Sequence, residues 1–232
     1  MIDAHAHPQL FKKNEYTLHD GVFAASTHVK DWEYMIDLQQ ENPKVRVGIG
    51  IHPWWAHLYP PQKHQQILVA LEELIGQKEN YFVGEIGLDK SSNHRASFEV
   101  QLTLFSAQLT IANTYNRPVV VHLVRASEQL ANEIKKYPFL RVYLHGFTGH
   151  PELTKRFPNC WFGFNLRNLQ MAKARKCVEI IPEDKILVES DGQVNWQSLT
   201  KTAQVISDIR GWSIKKTKKQ LIKNALKWLN NT

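Results

Sequence analysis

Short apolar runs alternate along the chain with longer segments whose apolar residues recur at steps of three and four. The runs at Met1–His5, Val22–Ser26, Val45–Gly50, Tyr81–Glu85, Pro118–His122, Arg141–His145, Cys160–Phe164 and Lys185–Glu189 predict strands. Several are apolar on both faces, Val119-Val120-Val121 and Ile186-Leu187-Val188 most plainly, which suits parallel strands covered by helices. Helical spacing predicts helices over Trp32–Gln40, with Asp31 placed to cap it, and over Gln62–Gly76, Ser97–Tyr115 and Ser127–Lys136. Pro151–Phe157, Ala172–Ile180, Ser198–Ile209 and Ile214–Leu229 follow. The clearest is Ser97–Tyr115, where Phe98, Leu102, Phe105, Leu109 and Ala112 form one stripe. Strands in strict alternation with helices predict an α/β fold, a (β/α)8 TIM-type barrel, with a doubly wound open sheet as the alternative. Neither a phosphate loop nor a G-x-G-x-x-G stretch is present to favour a nucleotide-binding sheet.

Composition narrows the class without choosing a function. The 232 residues are enough for one full core, and no linker, repeat or boundary divides them, so residues 1–232 read as a single domain. No apolar run reaches the roughly 20 residues of a membrane helix, and no signal-peptide pattern opens the chain. Two cysteines, Cys160 and Cys177, fit a reducing, cytoplasmic setting and cannot make a zinc ligand set alone. A formal charge of +7 favours anionic partners, nucleic acid among them. Part of that excess sits in Lys215-Lys216-Thr217-Lys218-Lys219, which reads more simply as a solvated helix face. No obligate protein partner is evident.

Chemistry collects where the barrel reading would put an active site, at the C-terminal ends of strands. His5 and His7 stand two apart, so a strand turns both imidazoles to one face, as a divalent ion requires. Glu85, His122 and His145 each end an apolar run, and Asp191 lies just past Ile186-Leu187-Val188-Glu189-Ser190. A polar group there is costly to bury unless paired or metal-bound, and six at equivalent places form a specific constellation. Four imidazoles and two carboxylates suffice for two divalent ions, and zinc, manganese, magnesium and nickel all accept such ligands. Two ions can clamp a phosphodiester and lower the pKa of a bound water toward about 7. Asp191 is placed to orient that water or take its proton, capping of the next helix being its plain alternative.

At these residues the sequence resembles the TatD-like metal-dependent hydrolases, over nearly its whole length. The resemblance lies in His5-Ala6-His7, Gly48-Ile49-Gly50-Ile51-His52-Pro53, Gly84-Glu85-Ile86-Gly87-Leu88-Asp89, Pro118–His122, His145-Gly146-Phe147-Thr148-Gly149 and Leu187-Val188-Glu189-Ser190-Asp191. It implies that His5, His7 and Asp191 bind one metal, that His122 and His145 bind a second, and that Glu85 bridges the two. Members are described as deoxyribonucleases, often acting on single-stranded ends, and proofreading of mischarged tRNA has been suggested for some.

Around this set the residues carry expectations of their own. His52 and Arg125 are candidates for substrate phosphate, and Trp54, with Trp55, for base stacking; each is equally ordinary as a loop residue. Asp89 is placed to hold a ligand imidazole, or simply to make a turn. His19, His28, His57, His64, His94 and His150 read as surface or packing residues. The sequence departs from the family at Trp54, where a second His is usual, and at Val124, where an Arg is usual, Arg125 falling one later. Gly192-Gln193 stands where a small residue and proline are common, and the segment after Asp191 is short. The expectation is a metal-dependent hydrolase acting on ester bonds, foremost a deoxyribonuclease, with Asp191 and Glu85 as catalytic residues. The alternatives are hydrolysis of a small amide, ester or lactone, or of an aminoacyl-tRNA ester.

Overall fold

The structure, a computed structural model, describes residues 1–11, 21–192 and 194–230. His19 and Gln193 lie outside them. Eight parallel strands stand in chain order in one sheet: β1 (Ile2–Ala6), β2 (Gly21–Ala25), β3 (Val45–Ile49), β4 (Phe82–Asp89), β5 (Val119–Val124), β6 (Val142–Leu144), β7 (Trp161–Phe164) and β8 (Ile186–Val188). β8 in turn lies beside β1. Strands in sequential order with helices between them are the arrangement of a (β/α)8 barrel. The helices are α1 (Trp32–Glu41), α2 (Pro61–Gln77), α3 (Phe98–Thr114), α4 (Ser127–Ile134), α5 (Pro151–Arg156), α6 (Ala172–Ile180), α7 (Trp196–Arg210) and α8 (Ile214–Asn230). No helix among the described residues is long and apolar enough to cross a membrane.

Internal contacts group the chain into two compact units, Met1–Ala24 with Tyr143–Thr232, and Ala25–Val142. In the first, β7 pairs with β8 through Phe162↔Ile186 and Phe164↔Val188. Beneath them α8 buries Leu221, Asn224, Ala225 and Trp228, and Trp228 meets Phe23 and Tyr143 with ring centroids 5.5 and 5.6 Å away. Its opposite face carries exposed Lys215, Lys216, Lys219 and Lys223, the solvated face expected of the lysine run.

In the second unit β4 pairs with β3 through Gly48↔Phe82 and with β5 through Val83↔Val119 and Asp89↔Val124. Gly48 is needed there because a Cβ would run into the Phe82 ring. All eight residues of β4 are buried, the carboxylates of Glu85 and Asp89 included, so the polar Glu85 does not end the strand. The strand runs four residues past the expected limit at Glu85, and a register shift between Val83 and Ile86 accommodates Glu85 inside it.

Two local expectations change. Asp31 stands at the start of α1 but caps nothing there; its carboxylate accepts from the backbone N–H groups of Thr27 and His28 and from the Thr27 hydroxyl. On α3, Leu102 is only half-buried, and two glutamines join the buried face. Gln101 accepts from Asp89 N (2.8 Å) and donates to Asp89 O (3.1 Å). Gln108 does the same for Ile51, at 2.8 and 3.3 Å. Both bonds join backbone groups at strand ends to a helix that would otherwise offer them only apolar atoms.

Candidate metal centre

In the first unit the backbone itself brings ligands together. Asp191 N donates to His5 O (3.0 Å) and His7 N donates to Gly192 O (2.9 Å), so the segment leaving β8 runs beside the end of β1. His5 and His7 are both buried and their Nε2 atoms lie 3.0 Å apart, the shared face that two-residue spacing on a strand produces. The His145 ring lies against that of His5, tilted by 32° with 4.2 Å between centroids. Asp191 Oδ1 lies 3.9 Å from His5 Nε2 and 3.7 Å from His145 Nδ1. Asp191 adopts φ 53°, a left-handed conformation that Asp tolerates better than most residues. It does not cap α7, a role filled by Asn195, whose side chain accepts from Ser198 N.

Beneath these ligands lies a buried polar network that periodicity alone does not reveal. Asp3 accepts from Ser190 N (2.9 Å), Ser190 Oγ (2.7 Å) and His5 N (3.3 Å). Glu189 accepts from Gly146 N (2.7 Å), Asn165 Nδ2 (3.3 Å) and the Tyr143 hydroxyl. Burial pushes the Glu189 carboxyl up to about 8 and that of Asp3 up to about 7, against the pull of those donors. Burial and the neighbouring carboxylate likewise raise the Tyr143 hydroxyl. These groups fix the backbone on either side of His5, His145 and Asp191. The one available signal was a carboxylate inside an apolar strand run, at Asp3 and again at Glu189.

In the second unit Glu85 is the hub. His52 Nε2 lies 2.9 Å and His122 Nδ1 3.2 Å from Glu85 Oε1. His52 Nδ1 accepts from Trp54 N (3.2 Å), so in the neutral ring the proton sits on Nε2, the nitrogen on the side of Glu85. His52 thus packs against Glu85 at a distance that also suits a ligand. On its far side, His122 meets Asp89 Oδ2 through Nε2 at 3.1 Å, the imidazole–carboxylate contact expected of Asp89. Burial raises the Asp89 carboxyl, but hydrogen bonds from His122, Ser91 and Trp54 outweigh it and hold the group well below the usual carboxylate range.

The remaining candidates separate. Trp54 gives its indole N–H to Asp89 Oδ2 (2.7 Å) and stacks on His94 at 5.1 Å with rings 11° apart. Trp55 packs edge-on against His28. Arg125 follows β5 directly, exposed and with φ 54°. His28 and His150 accept backbone N–H bonds at helix starts, His57 meets Trp54 O, and His64 meets Tyr59 O. The structure thus groups His145 with His5 and Asp191, sets His7 beside His5, and groups Glu85 with His122 and His52.

The donor sets fit divalent ions. At ligand distances near 2.1 Å, two donors on one ion can be at most about 4.2 Å apart. The separations of 3.0, 3.7 and 3.9 Å in the first unit and 3.2 Å between His122 and Glu85 all satisfy this. Mixed imidazole and carboxylate donors suit zinc or manganese, and Asp89 already holds the ring of His122.

Against known proteins, a family model described as TatD related DNase matches residues 2–230. The human protein named 3'-5' RNA nuclease TATDN2 is 33% identical over 152 residues, covering 62% of this chain and 19% of its own length. The protein of Escherichia coli K12 named uncharacterized metal-dependent hydrolase YjjV is 26% identical over 175 residues, covering 73% of this chain and 66% of that protein. Human deoxyribonuclease TATDN3 is 25% identical over 229 residues, covering 89% and 82%. The chain accordingly spans 19% of the first of these relatives and 66% of the second. The crystal structure of YjjV, a TatD homolog, superposes with a TM-score of 0.85 at 23% identity, covering 99% of this chain and 98% of that one, and so has the same barrel fold. With the family model matched along nearly its whole length, the chain belongs to the TatD-related DNase family.

Proposed function

We propose that the protein is a divalent-metal-dependent nuclease that hydrolyses phosphodiester bonds, acting on single-stranded DNA from its ends. The observation that carries the reading is the pair of donor sets, each built from buried imidazoles and a carboxylate in a chain whose relatives are named as nucleases. His5, His145 and Asp191 would hold one ion, with His7 beside His5, and Glu85 with His122 another. Bound there, the ions would polarise the phosphodiester, activate a water and stabilise the leaving oxygen. The chain's own groups do the rest. Asp191 is 37% exposed at its side chain, so it can meet a water as well as an ion, and it is the group to orient that water and accept its proton. His52 holds the Glu85 carboxylate, and Asp89 holds His122. Arg125, exposed beside the end of β5, is free of the core to pair with a phosphate. Two buried free thiols suit a reducing compartment, and we place the protein in the cytoplasm.

The test is cleavage of end-labelled single-stranded DNA by metal-stripped protein re-supplied with magnesium, manganese or zinc, beside Glu85→Ala. Shortening that needs metal and is lost in Glu85→Ala is expected, and the product ladder gives polarity. Protein that binds about two ions per chain yet cuts no DNA under any of them would sink the reading and turn attention to carboxylic esters.

A further inference from the structure

Trp54 sits where a base-stacking residue was expected, yet its contacts point inward. It opens the short 3-10 helix Pro53–Leu58, and two bonds tie that turn to the Glu85 cluster. Its backbone N–H fixes His52, and its indole N–H meets Asp89 Oδ2, the same oxygen that faces His122 Nε2. One ring face is covered by His94. Asp89 is held elsewhere too: Ser91 N donates to Oδ1 at 2.7 Å, and Gln101 clamps its backbone N–H and carbonyl. What Ser91 and Gln101 leave undetermined is the position of Oδ2, and Trp54 supplies that constraint.

We propose that Trp54 is a positioning residue, acting through Asp89 to fix the ring of His122 with its proton on Nε2 and its Nδ1 toward the metal. Asp89 Oδ1 accepts from Ser91 N and Oδ2 from the Trp54 indole, so His122 Nε2 meets a carboxylate oxygen already held in place, an acceptor for the proton of the imidazole. An indole N–H cannot be withdrawn by titration and donates in one direction, which suits it to fixing a carboxylate oxygen. The inference rests on the reading of His122 as a metal ligand, and it separates Trp54 from a base platform, which would need its free face and not its nitrogen.

The test is Trp54→Phe, which keeps the ring and removes the N–H, with Trp54→Ala beside it. In metal-free protein carrying 15N-labelled histidine, the wild-type His122 Nε2–H is expected as a slowly exchanging signal that Trp54→Phe loses. In calorimetric titration with manganese, Trp54→Phe should weaken one binding step by about tenfold to a hundredfold. On single-stranded DNA with metal saturating, kcat should fall while KM holds. Manganese affinity equal to wild type in Trp54→Phe overturns the proposal. So does a change confined to the KM of Trp54→Ala, the mark of base stacking. Should wild type bind no manganese or cut no DNA, the nuclease reading fails alone, and the imidazole signal decides: lost in Trp54→Phe it supports the positioning role, retained it refutes it.

Discussion

At the scale of single residues, the unusual costs lie in buried groups that small neighbours make room for. A Cβ on Gly163 would collide with Glu189 Oε2 and the Tyr143 hydroxyl, the pair that sits under the turn carrying His145. Gly163→Ala is expected to destabilise the fold by about 1–3 kcal/mol, as overpacking in a filled core does, and to weaken metal binding with it. Urea unfolding with a parallel manganese titration reads both, and wild-type values in both would show that the network yields easily. The thiols make a second case. Burial pushes Cys160 up to about 12 and Cys177 up to about 11. A folded state that keeps a proton which the unfolded chain releases near pH 9 loses stability as pH climbs from there toward the folded value. Stability should therefore fall between pH 9 and 11, and Cys160→Ala should remove part of that fall. Neither thiol should react with a disulfide reagent at pH 8 faster than the protein unfolds.

At the scale of elements, α3 does more than cover β4. Gln108 satisfies both the N–H and the carbonyl of Ile51, next to His52, and Gln101, seven residues earlier on the same face, satisfies both of Asp89. The helix thereby sets where the ends of β3 and β4 lie. Gln108→Leu keeps the size and leaves two buried backbone groups unpaired, each costing about 1–3 kcal/mol. The expected result is a loss of about 2–4 kcal/mol in urea unfolding, and a loss below 1 kcal/mol would mean that the clamp is dispensable. Sequence reading could place α3 but not this role. An amphipathic pattern counts a buried glutamine as a defect in the stripe, because its partners are backbone atoms nearly sixty residues away. The same blindness hid Glu189 and Asp3, whose donors come from other strands. It also left Trp54 without its true partner, since Asp89 is 35 residues distant. Legible instead were groups whose role follows from their own segment. His5 on β1 and His7 just past its end meet at a spacing of two, and His145 stands directly after Leu144 at the end of β6. β4 and β5 were the exceptions, running past Glu85 and His122 while still paired with each other.

At the scale of the whole molecule, alternation of two periods was enough to name the barrel, because each strand and helix is specified by its own apolar pattern and the connections are short. Net charge is the property no local pattern decides. The excess of +7 has one concentrated source in α8, whose first turn carries no acid and whose Lys215, Lys219 and Lys223 follow at steps of four. Two of the helix's lysines meet carboxylates, Lys216 with Glu183 at 3.6 Å and Lys227 with Asp184 at 2.8 Å, both in exposed pairs of small worth. Among the described residues Lys215, Lys219 and Lys223 have no carboxylate within salt-bridge distance, so they repel one another along the helix. Like charges four apart cost a helix about 0.2–0.5 kcal/mol per pair. Lys219→Glu turns both pairs attractive, and with Lys223 it makes the better order, acid before base. Replacing two repulsions with two attractions should stabilise the protein by about 0.8–2 kcal/mol at low salt, with the gain shrinking as ionic strength rises. Urea unfolding at 20 and at about 500 mM salt measures it, the higher value bringing the screening length to well under 10 Å. A variant no more stable than wild type at low salt would mean that the lysines already fan apart in solvent, and that the charge excess costs the fold nothing.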